Sequence, residues 1–223
     1  MLNKSNKILV PVDFSEQSLI ALSQSYNLAK KINAELVLLY VIEELNPMVK
    51  RLYKELNEIK GAVENNLKNL AEEKSKETGL VFSVEIEEGK IYNKIVEVAE
   101  KINARFIVMG TKGNENSKFI GSNANKVVKT APCPVITIKG QQHKKGCDKI
   151  VLPLDLTKET SDKVNQAIEI AELFTAEIFI VSVLQTGKEE IVNKLKDQLL
   201  IVRQYIENRG VKCTAEIVKI LKS

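Results

Sequence analysis

The sequence has no tryptophan, and aromatic residues make up only 5% of its 223 positions. Few flat rings are therefore on hand for base stacking, the main grip on single-stranded nucleic acid. Histidine occurs once, as His143, which argues against histidine acid–base catalysis and against a multi-histidine metal site. Three cysteines, Cys133, Cys147 and Cys213, form an odd set without CxxC spacing. That fits a reducing compartment better than a disulfide scaffold. The longest apolar run, Leu36 to Ile42, falls far short of the roughly 20 residues that span a bilayer. Charge of one sign is also scarce: 33 basic residues face 29 acidic ones, for a net charge of +4. A mixed, solvated surface follows, with no nucleic-acid or membrane partner expected. These features describe a soluble cytoplasmic protein.

What is present is a repeat. KILVPVDFS at residues 7–15 returns as KIVLPLDLT at residues 149–157, an offset of 142 residues. The offset holds without a gap well past the motif, pairing Ala29 with Ala171, Ala34 with Ala176 and Val41 with Val183. Between the copies, residues 141–147 read as a polar linker containing His143, Lys144 and Lys145. The expected organisation is a domain over 1–140, that linker, and a partial second domain over 148–223.

The first copy alternates strands and helices. Lys7 to Val12 is short and nearly all apolar, as parallel strands covered on both faces are. Ser15 can cap a helix in which Leu19, Leu22, Tyr26 and Ala29 form an apolar stripe. Further strands are expected at Leu36–Val41, Val81–Glu87, Arg105–Met109 and Val135–Lys139. Between them, Met48, Leu52, Leu56 and later apolar residues mark a long helix, Ile91 to Ile102 a second, and Ser122 the start of a third. The pattern predicts an α/β fold with a doubly wound, five-stranded parallel sheet. The second copy follows the same path through three strands but has no counterpart of the fourth strand, the glycine loop or the fifth strand.

In such sheets ligands bind beyond the carboxyl ends of the strands, where strand order reverses. Two segments carry unusual chemistry there. One is Pro11-Val12-Asp13-Phe14-Ser15, and the other is Met109-Gly110-Thr111-Lys112-Gly113, running on to Gly121-Ser122-Asn123. Glycines let a backbone approach phosphate, and amides at the Ser122 helix start would face an anion. Lys112 and Lys118 add positive charge, while the Asp13 carboxylate can accept hydrogen bonds from a base amino group or a ribose hydroxyl. The pair of loops suggests a nucleotide. Structural readings stand beside this one: Asp13 as a helix cap, Gly110 and Gly113 as turn glycines, and Cys133 as core packing. Asp155 repeats the aspartate in a copy without a glycine loop, so the residue alone does not define a site.

The opening KILVPVDFSEQS, the segment MGTKG and the stretch GSNANKVVKTAPCPVITIK together resemble the universal stress protein family. The resemblance covers residues 5–140 and, in part, 148–223, so the chain looks like a tandem member with an incomplete second domain. It implies a Rossmann-like fold of the adenine nucleotide alpha hydrolase type. It also implies ATP or a related adenine nucleotide, alone or with Mg, held by a G-x2-G-x9-G-[ST] loop and the aspartate after the first strand. Carried across, Asp13 would meet the adenine or its sugar, and Val41 would line the base pocket. Gly110, Gly113, Gly121 and Ser122 would hold ribose and phosphates. The chain departs from the pattern: Asn114 to Ile120 leave seven residues where the family has nine. The leading expectation is a nucleotide-binding stress or signalling module without fast turnover. The alternative is a nucleotide-free module that dimerises or binds partners, with slow ATP hydrolysis a third reading. The resemblance also implies a homodimer through residues 133–139 of two chains.

Overall fold

The computed structural model describes residues 5–43, 56–111, 121–140, 146–155, 160–184 and 189–219. Met48, Leu52, Lys112, Gly113, Lys118, His143, Lys144 and Lys145 lie outside the described residues. The chain divides into two compact units, Met1–Lys145 and Gly146–Ser223.

The first unit runs β1 (Lys7–Pro11), α1 (Glu16–Ile32), β2 (Glu35–Glu43), α2 (Leu56–Thr78) and β3 (Phe82–Gly89). It continues through α3 (Ile91–Lys101), β4 (Phe106–Gly110), α4 (Ser122–Thr130) and β5 (Val135–Ile138). Its five strands lie in the order β3-β2-β1-β4-β5, and every pairing is parallel. The order reverses between β1 and β4. Strand alternation sends Ile8, Val10, Leu36 and Leu38 to one face and Leu9, Val37 and Leu39 to the other. All seven are at most 1% exposed, as expected for strands covered on both sides. Ile95, Val98 and Ala99 of α3 and Ala124 and Val127 of α4 cover the Leu9 face.

Helix α1 differs from the expected stripe. Leu22 and Ala29 are buried, but Leu19 is 38% exposed and Tyr26 is half-buried. The buried row instead includes Ser18, Ala21, Ser25 and Leu28. Small residues let the helix lie close to the sheet. Their hydroxyls are satisfied inside the helix, Ser18 Oγ donating to Ser15 O at 2.9 Å and Ser25 Oγ to Leu22 O at 2.6 Å. A hydrophobicity pattern overlooks serines buried in this way. Cys133 belongs to the core under α3 and α4.

The second unit consists of β6 (Lys149–Pro153), α5 (Thr160–Phe174), β7 (Glu177–Leu184), α6 (Glu189–Asn208) and β8 (Cys213–Lys219). Its parallel strands lie in the order β6-β7-β8. The β1–β2 register, Lys7 opposite Glu35, returns in β6–β7 as Lys149 opposite Glu177. Both partners have moved by the sequence offset. The hydrogen bond from Val12 N–H to Leu39 O likewise returns from Leu154 N–H to Val181 O. Helix α1 closes on Asn33 at φ +50°, and α5 closes on Thr175 at φ +58°. Asn tolerates that left-handed position; a β-branched Thr does so under strain.

Candidate functional site

A cavity of about 330 Å³ opens at the carboxyl ends of β1 and β4, where the strand order reverses. Its lining joins the two segments singled out from the sequence. Pro11, Val12, Asp13, Ser15 and Val41 contribute from the β1 and β2 side. Met109, Gly110, Gly121, Ser122 and Asn123 contribute from β4 and α4. Gly113, the remaining candidate, lies outside the described residues.

Asp13 begins the turn into α1. Its Oδ1 accepts a hydrogen bond from the Ser15 backbone N–H at 3.0 Å and another from the Ser15 hydroxyl. The Ser15 hydroxyl in turn accepts from Ser18 N–H at 3.3 Å, so Ser15 is the N-cap and Asp13 braces it. The carboxylate is exposed beside the cavity. Phe14, between them, takes φ +59°, and its ring packs 5.8 Å from that of Tyr40. A bulky residue in that region is strained, and the neighbouring cap and ring contact hold it there.

Gly110 ends β4, paired with Ile138 of β5. A Cβ placed on it would lie 2.4 Å from the Gln17 carbonyl oxygen and 2.6 Å from its carbon. Helix α1 thus crosses the end of β4 too closely for any side chain. Gly121 differs: it is the N-cap of α4 at φ −54° and ψ 151°, a geometry open to any residue. Gly121 has no side chain to cap α4, so among the described residues the amides of its first turn border the cavity without an N-cap acceptor. Such an uncapped helix start is a ready anion site.

The remaining lining is apolar on one side: Val12, Leu39, Ile95 and Met109 are at most 6% exposed, with Val41 and Ile91 half-buried. That wall suits a flat ring. Both charged residues among the described lining, Asp13 and Glu43, are acidic. Gln17, overlooked in the sequence, also lines the cavity, and its buried Oε1 has no hydrogen-bond partner among the described residues. Nothing in the sequence signals it, because its place depends on the crossing of α1 over Gly110.

This geometry sits in a stretch that matches a family model. Residues 4–139 match the universal stress protein family. The chain belongs to that family. Universal stress protein MJ0531 of Methanocaldococcus jannaschii is 37% identical over 147 residues, covering 61% of this chain and 84% of that protein. Universal stress protein YxiE of Bacillus subtilis is 32% identical over 60% of this chain and 99% of its own length. Among solved structures, a universal stress protein from Archaeoglobus fulgidus aligns with a TM-score of 0.78 at 22% identity. That alignment covers 97% of this chain and 79% of the other, and it establishes the fold alone. The structure of MJ0577, from Methanocaldococcus jannaschii, is 30% identical with a TM-score of 0.51, covering 63% of this chain and 99% of that one. As a universal stress protein, the chain falls in a stress-response family with an α/β fold. No helix among the described residues is long and apolar enough to cross a membrane, and no cluster of metal-ligating side chains is found among them.

Proposed function

We propose that this universal stress protein binds ATP or a related adenine nucleotide in the cavity between β1 and β4, and works as a nucleotide-responsive module without fast turnover. One observation carries the reading: an apolar wall and the Asp13 carboxylate face an uncapped helix start across one cavity. The wall takes the base, Asp13 takes an amino group or ribose hydroxyls, and the α4 amides take phosphate. Gln17 Oε1 supplies a further acceptor for a ligand N–H or O–H. The volume lies within the roughly 300–1,000 Å³ typical of small-ligand sites. Because both charged residues of the described lining are acidic, phosphate charge calls for a counter-cation such as a magnesium ion carried in with the nucleotide.

Acid release and mass spectrometry of the purified protein, followed by melting with ATP and magnesium, tests this. At ligand near 100 times the dissociation constant, binding adds about 2.7 kcal/mol, a rise of a few degrees in Tm. No released nucleotide and no shift would defeat the reading. The seven-residue spacing between Gly113 and Gly121 favours the second reading, a nucleotide-free partner-binding module.

We also propose a homodimer through residues 133–139. Strand β5 is the edge of the first sheet, and Val135 to Ile138 leave one row of backbone groups for another strand. Sedimentation at micromolar protein should give a dimer; a monomer overturns the proposal.

A further inference from the structure

The cavity lining has a lateral order set by the sheet. Strand β1 lies between β2 and β4. Ala124 and Val127 of α4 share a core with Ile107 and Met109 of β4, so the α4 start stands on the β4 side. Asp13 follows β1, and the end of β2 lies one strand further across, about 4.8 Å away. A nucleotide carries the same order along its length: phosphate, sugar, base. With phosphate on the α4 amides, Asp13 faces the sugar and the base falls on β2.

Strand β2 outruns β1 at this end. Pairing stops at Pro11 opposite Leu39, Val12 N–H still donates to Leu39 O at 2.8 Å, and the β1 chain then turns into α1. β2 continues through Tyr40 to Glu43. Alternation puts Leu39, Val41 and Glu43 on one face, and all three line the cavity. Leu39 is buried, Val41 half-buried and Glu43 exposed, so the row climbs from floor to rim. A flat ring lying on Leu39 and Val41 meets the Glu43 carboxylate at its outer edge.

That carboxylate is unlike its neighbours. Strand partners share a face, so Glu85 and Glu87 of β3 lie beside Leu39 and Val41. Glu85 meets Lys101 of α3 at 3.2 Å, and Glu87 lies 3.8 Å from Lys94. Lys94 makes its closer pair with Glu97, at 2.6 Å. Glu43 stands beside Gly89, which offers no side chain, and it forms no ion pair among the described residues. An ionised carboxylate only accepts hydrogen bonds and repels a polyanion. It suits this cavity where the ligand presents N–H groups, and at the base end that group is an exocyclic amino.

We propose that Glu43 reads the base: its carboxylate accepts a hydrogen bond from the 6-amino group of a purine on the Leu39–Val41 wall. The site thereby selects a 6-aminopurine over its 6-oxo counterpart. The assignment rests on the nucleotide reading given above, and it leaves Asp13 to the ribose hydroxyls. Against a 6-oxo oxygen the carboxylate opposes one lone pair with another, with no proton between them. A site that hydrogen-bonds a ligand N–H rejects analogues that lack it, because its own polar group is left unpaired.

Calorimetric titration of the full chain with ATP, ITP and GTP, each with magnesium, tests the assignment. The parent should bind ATP about tenfold more tightly than ITP, the scale of one hydrogen bond to a charged group. Glu43→Gln, whose amide can donate to the 6-oxo oxygen, should bring the two within about threefold. Asp13→Asn should weaken ATP and ITP alike, which separates the sugar contact from the base contact. If ATP binds and the ratio ignores Glu43→Gln, the Glu43 assignment fails while nucleotide binding stands. Equal weakening of ATP and ITP by Glu43→Gln also overturns it, placing the carboxylate against something both ligands share. A preference for GTP that Glu43→Gln abolishes would put the carboxylate on the N1–H and 2-amino edge of guanine, and the adenine reading itself fails. Binding of none of the three removes the site and this proposal with it.

Discussion

Asp13 and Ser15 form a closed hydrogen-bonded pair: both the backbone N–H and the hydroxyl of Ser15 donate to the same Asp13 oxygen. The pair starts α1 and borders the cavity at once, so stability and binding share one residue. The structural and functional readings of Asp13 are not alternatives, and substitutions must separate them.

Asp13→Asn keeps an acceptor oxygen for Ser15 and removes the charge. It should melt within about 0.5 kcal/mol of the parent while losing most of the ATP-induced rise in Tm. Ser15→Ala removes the N-cap acceptor and should cost about 1 kcal/mol whether or not nucleotide is present. Urea unfolding with and without ATP measures both. An Asp13→Asn protein that keeps the full ATP shift would confine the carboxylate to capping.

Gly110→Ala should destabilise the first unit by about 1–3 kcal/mol in urea, because its Cβ forces β4 and α1 apart at Gln17. Gly121→Ala, at a φ open to any residue, should cost less than Gly110→Ala. Equal losses at the two glycines would contradict the close approach.

Gln17→Met removes a buried oxygen that has no partner among the described residues. The ligand-free protein should gain stability, of the order of 1 kcal/mol, since an unsatisfied buried acceptor costs about 1–3 kcal/mol. The ATP-induced shift should shrink at the same time. Thermal melts at matched nucleotide concentration decide it; a ligand-free Tm below that of the parent would show that Gln17 is satisfied in the folded protein.

Burial pushes the Tyr26 phenol up to about 12; Lys74 nearby opposes this, while Glu77 and Glu73 reinforce it. Burial likewise pushes the Cys213 thiol up to about 11. The unfolded phenol ionises near its ordinary value of 10, whereas the folded one stays neutral. Its contribution is therefore full below pH 10 and is lost as the pH rises toward about 12. Tyr26→Phe should shift base-induced unfolding, followed by circular dichroism, to higher pH. An unchanged midpoint would mean that Tyr26 ionises alike in both states.

Much of this molecule is readable locally. Short apolar runs, the Ser15 cap and the regular return of strand and helix specify the order of elements, because those signals depend on near neighbours. The offset between Lys7 and Lys149 also predicts a register that the strands then adopt. Ten of the eleven candidate site residues line one cavity, since the ends of β1 and β4 meet wherever a parallel sheet reverses its order. Other features depended on segments far apart in the chain. Gly110 needs its missing Cβ because α1 crosses it, and Gln17 reaches the cavity by the same crossing. Ser18 and Ser25 join the buried face of α1 because the helix lies close to the sheet. Leu9 and Val151 occupy one position of one motif, yet one is buried and the other 66% exposed. An apolar side chain carries the same preference in both units; only the helix packed above it decides whether that preference is met.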